Sequence, residues 1–373
     1  MKKNAQKTLD FFLNIKNKRR QFFYIDWNEE SPIAVWVHSK PKSISWSKIV
    51  KFKEIGDIII CCKEEEKKEI DLEDDILMKQ INLNNKISEA PSKILSFLKS
   101  HLQKCVRRAN TILAVQTALA LLTLNKDEFV RRLSIIVFED VRVKTYYPTL
   151  VWLVSSLSKG FTLTPKIVYM LLMIVVDLCT EKIKDNIEED IKIEDKDKKF
   201  SKLADKIESN EVINDEAKSF LISILFRMTY GGMSWDIDML GGYVITWFNR
   251  LKKGESVPSI NKEEIQKLKD IWDFHKIKKM NTFLVDDFII EGADFHCFPM
   301  ILDEIINETH SKYTKEELKS CIWEYSSKIN SRTDNSVLDK KLEIIWSDIK
   351  SILRKLQFNI ISDMITQFKL FIL

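Results

Sequence analysis

Two periodicities divide the chain into a short β-rich part and a long helical part. Near the N-terminus, aromatic and β-branched residues form short runs that turn-forming residues separate, a pattern typical of β-strands. Trp46 and Ile49 belong to a further strand or to a short turn. The pattern predicts a small unit over 1–85, a meander of three or four strands preceded by a short helix over 5–20. The runs are FFYIDW (22–27), PIAVWVH (32–38) and DIIICCKE (57–64).

From Ser92 onward the apolar positions recur at helical spacing, and Pro91 next to Ser92 is a helix start signal. Asn125 and Asp127 are candidate N-caps for a later helix. Short connections between the predicted helices favour antiparallel neighbours, and therefore a bundle over 86–184. Its predicted helices begin at Ser92, cover 111–123 and 127–141, begin at Pro148, and run from Pro165 to about Lys184.

The stretch 181–213 is the most charged and least aromatic part of the chain, with both signs interspersed. Such a composition is typical of a charged linker or of a solvated helix, and we assign 185–213 to one of these two. A second helical subdomain is predicted over 214–373. The predicted fold is therefore mainly α, a multi-helix bundle with a small β-rich N-terminal subdomain. The helices of the second subdomain are expected near 243–252, 261–275, 297–308, 314–329 and 336–368.

Composition narrows the class of protein. With 373 residues and 45% apolar side chains the chain can bury a large core, and a net charge of +4 gives no global polybasic signal for nucleic acid. Six scattered cysteines without a CxxC pair favour free thiols in a reducing compartment. The longest apolar run, Ile167–Val176, is far shorter than the roughly 20 residues of a membrane-spanning helix. We expect an intracellular protein, cytoplasmic or nuclear, with no membrane segment and no cofactor.

Arginine is concentrated in one part of a chain that otherwise uses lysine. The 59 basic residues comprise 48 lysines and 11 arginines, and five of these arginines fall within 107–142. The guanidinium fork binds carboxylate or phosphate through two parallel hydrogen bonds, which an ammonium group cannot form. The pairs Arg107–Arg108 and Arg131–Arg132 are therefore candidate contacts to nucleic-acid phosphate or to an acidic partner. Pairing with acidic residues of the same chain is the structural alternative.

The same region resembles a known family. K-x-x-R-R, an Ala-rich helix (AVQTALALL), an acidic helix start, R-R-L and E-D-V follow one another over about residues 95–160. This order is similar to the helical domain after the ATPase core in replication-associated AAA+ proteins, the recombination factor A family and its clamp-loader relatives. The resemblance implies an all-helical collar used for oligomerisation in a DNA-associated assembly. A P-loop motor is excluded because no GxxxxGK[ST] motif exists in the sequence. The matching positions are Lys104, Arg107, Ala114, Ala118, Asp127, Arg131, Arg132, Leu133, Glu139 and Asp140.

A second candidate site lies in MNTFLVDDFIIEGADFHCFPMILDEI (280–305). His296 is a candidate metal ligand or general base, and Asp294 or Asp303 can orient its other ring nitrogen. The structural alternative is a buried helix entry with Asp294 as N-cap. His296 and Asp294 are the candidate metal ligands of the chain, although no metal is expected.

A third candidate site lies in RMTYGGMSWDIDMLGGYVITWFNRL (227–251). Asp236 and Asp238, with Arg227 and Arg250 nearby, are candidates for a carboxylate or phosphate pocket rimmed by aromatic side chains. The alternative is core, because an aromatic stripe at helical spacing usually packs inside a protein.

Three classes of function follow from these sites. The first is a non-enzymatic helical scaffold or interaction subunit of a nucleic-acid-processing assembly, with a protein partner or a second copy of the chain as its main partner. It requires the arginine pairs exposed on one surface. The second is an enzyme whose aspartates and histidine converge where 227–250 meets 286–304. The third is a protein-only binding module, whose arginines are paired internally.

Overall fold

The computed structural model of the chain describes eight ranges of residues, and these form a mainly α-helical protein with a small N-terminal sheet. The predicted fold class is therefore confirmed. The predicted helices over 5–20 and 261–275, and residues 280–290 of the second candidate site, lie outside the described residues. The described ranges are 21–52, 56–66, 72–83, 92–187, 196–231, 234–260, 291–333 and 340–372.

The sheet has four strands in the order β2–β1–β4–β3, with β1 and β4 parallel. The predicted meander is therefore wrong. Residues 58–62 of β4 form an unbroken apolar run, which suits a central strand that is covered on both faces. β4 pairs with β3 in the antiparallel sense along one edge and with β1 in the parallel sense along the other. The strands are β1 (Phe22–Asp26), β2 (Val35–Val37), β3 (Trp46–Phe52) and β4 (Gly56–Lys63).

Helices form the rest of the described chain. The longest helix of the bundle is interrupted at Asn125, whose side chain accepts a hydrogen bond of 3.0 Å from the amide of Glu128 and so caps the second half as predicted. The helices are α1 (Leu72–Leu83), α2 (Ser92–Arg107), α3 (Thr111–Asp140), α4 (Tyr147–Leu157), α5 (Pro165–Thr180), α6 (Lys196–Glu208), α7 (Asp215–Thr229), α8 (Ser234–Lys252), α9 (Met300–Glu308), α10 (Lys315–Ile322), a π-helix (Trp323–Ser327) and α11 (Lys340–Ile372).

Helix α6 forms within the charged stretch 185–213. Two of its apolar residues, Ala204 and Ile207, are buried, and the helix packs on α7. The two alternatives for this stretch were a charged linker and a solvated helix. The part from Lys196 to Glu208 is a helix, and one side of it is buried.

The sheet is joined to the bundle by side-chain hydrogen bonds as well as by apolar packing. The indole nitrogen of Trp152 on α4 donates to the carbonyls of Phe23 and Cys61, at 3.0 and 3.2 Å. The hydroxyl of Ser219 on α7 accepts from the amide of Trp36 at 2.8 Å. One hydrophobic core runs from the sheet through α2–α5 to α7, α8 and α11, and so crosses each of the predicted domain boundaries.

Within the described residues, none of the helices combines the length and the apolar character needed to cross a bilayer. The C-terminal helix α11 instead packs its buried isoleucines, Ile345 and Ile349, toward α9 and α10. Arg354 of α11 and Arg108, which follows α2, line the same cleft, so α11 also lies near the end of α2.

Candidate functional site

The last turn of α2 carries two cations, Lys104 and Arg107, and Arg108 follows the helix directly. All three contact two later segments of the chain. Cations suit this position because the carbonyl end of a helix carries partial negative charge. One of the later segments is 291–296, before α9, and the other is the π-helix. The structure therefore brings Arg107 and Arg108 of the first predicted site together with Asp294 and His296 of the second. We call this group of residues the polar junction.

Lys104 and Asp294 form a buried ion pair at the centre of the polar junction. Nζ of Lys104 lies 2.7 Å from Oδ2 of Asp294, and both side chains are only 4% exposed. The same ammonium donates to the carbonyl of Glu291 at 2.5 Å, and Ser327 donates its hydroxyl to Asp294. Burial raises the pKa of Asp294, but Lys104 and the hydrogen bond from His296 outweigh it and hold that pKa below its usual value. Asp294 is therefore an ionised structural carboxylate.

His296 lies at the surface beside this pair. Its amide donates to Oδ1 of Asp294 at 2.9 Å, its Nδ1 is 3.2 Å from the same oxygen, and its side chain is 52% exposed. The predicted N-cap role of Asp294 is wrong, because α9 begins at Met300 with Pro299 in the N-cap position. Asp294 instead orders the turn that precedes the helix.

Arg107 and Arg108 both bind groups of their own chain. Nε of Arg107 is 2.5 Å from Oδ1 of Asp140, and its Nη1 donates to the carbonyl of Ser327 at 2.7 Å. Arg108 forms an ion pair with Glu291 and donates to the carbonyl of Ser326 at 2.9 Å. This placement corresponds to the structural alternative, since both forks are occupied within the chain rather than presented together on an open surface.

The π-helix supplies the two carbonyls that these arginines need. The amide of Lys328 donates to the carbonyl of Trp323 at 2.9 Å, five residues back, so the turn is wider than an α-helical turn. Ser326 and Ser327 are the last residues of this helix, where carbonyls have no partner within the helix. Short π-helical segments often mark functional sites.

The second arginine pair lies on α3. Arg132 donates to the side-chain oxygen of Gln103 and lies 3.9 Å from a carboxylate oxygen of Glu139. Arg131 is half-buried, and among the described residues it forms no ion pair. The scaffold hypothesis requires that all four arginines are exposed on one surface. Arg107, Arg108 and Arg132 do not meet this requirement, because each binds groups of its own chain.

The third predicted site does not assemble as a pocket of two aspartates and two arginines. Arg250 pairs with Asp185, at 3.0 Å, whereas the buried Arg227 donates to the hydroxyl of Ser134 at 2.9 Å. Asp236 is buried near Arg227, and its Oδ1 accepts no hydrogen bond from the described residues.

The aspartates that the enzyme hypothesis combines belong to different clusters. Asp236 lies at the start of α8, and Asp238 is half-buried on the same helix. Asp294 is held by Lys104, and His296 contacts Asp294 and the ring of Trp323. Within the described parts of 227–250 and 286–304, these residues therefore do not form the single cluster that the enzyme hypothesis requires.

A cleft of about 210 Å³ opens beside the polar junction, and sequence reasoning did not find it. Arg108 and Glu291 form one side of it. One face of α11 forms another, where Trp346, Lys350 and Arg354 repeat every four residues. The lining thus carries three cations and one carboxylate, and we call it the cationic cleft.

Two aromatic side chains also line the cationic cleft. The rings of Tyr325, from the π-helix, and Trp346, from α11, are stacked with centroids 5.5 Å apart and planes at 18°. Gln357 holds α11 in place below them by donating to the carbonyl of Ala293 at 2.7 Å. The spacing of Trp346, Lys350 and Arg354 is visible in the sequence, but nothing in the sequence shows which other segments face them.

The chain matches no protein-family model, no curated protein and no solved structure. The resemblance to the collar domain therefore stays a prediction. Among the described residues, no group of three or more His, Cys, Asp or Glu side chains is placed to hold a metal ion.

Gly292 lets segment 291–296 approach α2 closely. A Cβ atom there would lie 2.7 Å from Cε2 of Phe97 and 3.0 Å from Cβ of His101. We expect Gly292→Ala to lower the free energy of unfolding by about 1–3 kcal/mol, the usual effect of overpacking a buried contact. Urea unfolding followed by circular dichroism measures this change.

The matched control for this prediction shortens the side chain that the new methyl group would meet. Phe97→Leu in the Gly292→Ala background removes the ring edge that the new methyl group meets, so the double variant should lose less stability than the two single changes added together. Strict additivity of the two changes would show that the segment does not lie against Phe97.

Proposed function

We propose that the protein is a non-enzymatic helical scaffold that binds an acidic segment of a partner protein at the cationic cleft. The observation that carries this proposal is the lining of the cleft, where Lys350 and Arg354 of α11 lie together with the ion pair of Arg108 and Glu291. Concave sites with a few convergent polar groups are where proteins bind ligands. Cations gathered in such a site favour an anionic group.

The shape of the cationic region favours a protein partner over nucleic acid. Nucleic-acid binding without base readout needs a groove or stripe of cations that follows many phosphates. The cations of the cleft are confined to about 210 Å³, and Arg107 and Arg132 bind groups of their own chain. A compact cationic site is better suited to one or two acidic side chains.

The ionic contacts at the end of α2 support the scaffold part of the proposal. Lys104, Arg107 and Arg108 join α2 to segment 291–296 and to the π-helix through ion pairs and backbone carbonyls. The walls of the cleft are thereby fixed before a partner arrives. Such preorganisation reduces the entropy lost on binding.

The test is a fluorescence-anisotropy titration with a labelled oligoglutamate peptide at low and physiological salt. We expect saturable binding, and at least a tenfold loss of affinity in the double variant Lys350→Ala/Arg354→Ala. Lys355→Ala is the matched control, since Lys355 is exposed on the same helix and does not line the cleft. Its affinity should stay within about twofold of the wild type, because a charge outside the site contributes little.

Parallel titrations with labelled single-stranded and duplex DNA and RNA decide between the two kinds of partner. If nucleic acid bound more tightly than the peptide, with log K falling by about 0.9 per phosphate contact as log salt rises, the nucleic-acid scaffold would replace this proposal. Equal loss of peptide binding in the Lys355→Ala control and in the double variant would also contradict it.

A further inference from the structure

We infer that Arg131, Arg227 and Asp236 form a second anion site, which shares no residue with the cationic cleft and binds one hydrogen phosphate ion. This inference goes beyond the proposed function and does not depend on it. The site combines one arginine of the first predicted site with one arginine and one aspartate of the third. Within the described residues three features support it: two arginines without an ion-pair partner, a buried hydroxyl without an acceptor and a buried carboxylate oxygen without a donor.

Arg227, on α7, is a buried cation that donates only to neutral groups of the described chain. It is 4% exposed, and its Nε donates to the hydroxyl of Ser134 at 2.9 Å. Its Nη1 donates to the carbonyl of Gly231 at 3.0 Å, which leaves Nη2 without a hydrogen-bond partner among the described residues. Buried charges in proteins are paired, because an unpaired charge loses its hydration without compensation. An anion is therefore expected beside Arg227.

Arg131 adds a second positive charge at the same place. It lies one turn before Ser134 on α3, so the two side chains share a face of the helix, and Ser134 contacts Arg227. Burial lowers the pKa of Arg227, and the charge of Arg131 lowers it further, so the two guanidinium groups are close. An acid of the same helix, Asp127, lies one turn in the other direction from Arg131, where Lys126 also acts on it. An anion between the two arginines would relieve their repulsion.

The hydroxyl of Tyr147, on α4, is a donor without an acceptor. Tyr147 is fully buried, and its hydroxyl has no hydrogen-bond partner among the described residues. Burial raises the pKa of this hydroxyl above its usual value, and the charge of Arg227 opposes the shift only in part. The hydroxyl therefore keeps its proton and lies near Arg227. Because an unmade hydrogen bond of a buried group costs free energy, an anion at Arg227 that also accepted from Tyr147 would be stabilised by both.

Asp236 determines which anion suits the site. It is buried in the first turn of α8, its charge acts on Arg227, and its Oδ1 has no partner among the described residues. A carboxylate oxygen can only accept hydrogen bonds, so it repels an anion without a proton and binds one that offers an O–H group. Inorganic hydrogen phosphate offers acceptor oxygens to the arginines and an O–H group to Asp236. Sulfate has the same shape without the proton, and a phosphate monoester has mostly lost its last proton at pH 7.

Arg131 is the member of the site that lies closest to solvent. It is half-buried, whereas Arg227, Tyr147 and Asp236 are at most 7% exposed. An ion that passed Arg131 would leave bulk water, and its interaction with the arginines would be stronger than at the surface. Because α3, α4, α7 and α8 each supply one of these residues, the ion would also join four helices that pack on one another.

The test is isothermal titration calorimetry of the full chain with inorganic phosphate, sulfate and methyl phosphate at pH 7. We expect one phosphate ion per chain, with sulfate and methyl phosphate binding about tenfold more weakly or less, because neither offers a proton to Asp236. Arg131→Gln should weaken phosphate binding about tenfold or more, since a charge-assisted contact is lost, and should leave the fold intact. Tyr147→Phe removes only the hydroxyl and should weaken phosphate binding about threefold or more.

Two further variants separate the contribution of Asp236 and the position of the ion. Asp236→Asn can donate as well as accept, so the affinities for phosphate and sulfate should come within about threefold of each other. The double variant Lys350→Ala/Arg354→Ala changes only the cationic cleft, and its affinity for phosphate should stay within about twofold of the wild type. Circular dichroism of each variant verifies that it is folded.

Three results would overturn the inference. Sulfate binding as tightly as phosphate to the wild type would show that Asp236 does not select a proton-carrying ion. Loss of phosphate binding in Lys350→Ala/Arg354→Ala, with Arg131→Gln unchanged, would place the ion in the cationic cleft. Absence of phosphate binding at millimolar concentrations would show that no anion compensates Arg227. None of these results affects the proposed function, which the oligoglutamate titration tests separately.

Discussion

Asp294→Asn is expected to lower the free energy of unfolding by about 3–5 kcal/mol, because it leaves the buried ammonium of Lys104 without its counter-charge. The amide keeps the shape of the carboxylate, so the loss reports the charge rather than packing. Urea unfolding at pH 7, followed by circular dichroism, measures it.

The surface pair Lys99–Glu128 is the matched control for this prediction. It starts from the same helix α2 and has the same separation of 2.7 Å, but its side chains are 30% and 38% exposed. Glu128→Gln should therefore cost no more than about 1 kcal/mol. A similar cost for both changes would show that Lys104 and Asp294 are not buried as a pair.

The pH dependence of the same variant gives an independent check. The pKa of Asp294 is lowered in the folded protein, so its contribution to stability is present above the unfolded pKa of about 3.9 and is lost as the pH falls below it. The difference in unfolding free energy between wild type and Asp294→Asn should thus be smaller at pH 3 than at pH 7. A difference that grows on acidification would contradict the ionised pair.

Arg332→Ala is expected to lower the free energy of unfolding by about 3–5 kcal/mol, and Arg332→Lys by roughly half as much. The guanidinium of Arg332 donates to backbone carbonyls at the ends of α2 and α5, which have no partner within their own helices. Lysine keeps the charge but not the planar fork that reaches both helix ends. The accepting carbonyls belong to Val106, Arg107, Leu178, Cys179 and Glu181.

Lys328→Ala is the control for Arg332, four residues away. Lys328 forms a partly exposed ion pair with Glu324 one turn earlier, which should contribute about 0.5 kcal/mol or less. Thermal unfolding of the three variants ranks these effects. An Arg332→Ala variant as stable as Lys328→Ala would show that α2 and α5 do not depend on this shared cap.

Local patterns were sufficient to predict most elements of the fold. Asn125 was identified as a helix cap because its amide side chain competes for the first amides of a helix, and the structure confirms it. The order of the strands could not be predicted in the same way. Apolar residues on both faces of β4 made it a central strand, but its parallel pairing with β1 depends on contacts between distant segments.

The candidate site could be predicted only in part for the same reason. The pair Arg107–Arg108 was predicted to bind phosphate or acidic groups, and Asp294 was predicted to be either a structural or a chemical acid. Nothing in the sequence showed that Lys104 and Asp294, separated by 190 residues, form one ion pair. Lys350 and Arg354 were missed because a cation on a long amphipathic helix usually faces solvent.

The most direct test of the cationic cleft is an NMR titration of the arginine Nε–H signals with the oligoglutamate peptide. The chain has only 11 arginines, so each signal can be assigned by a single Arg→Lys variant. The proposal predicts that the Arg354 and Arg108 signals shift in a saturable way, whereas the Arg250 signal, from the pair with Asp185, does not move. A shift at Arg131 or Arg132 with Arg354 unchanged would contradict the cleft as the binding site.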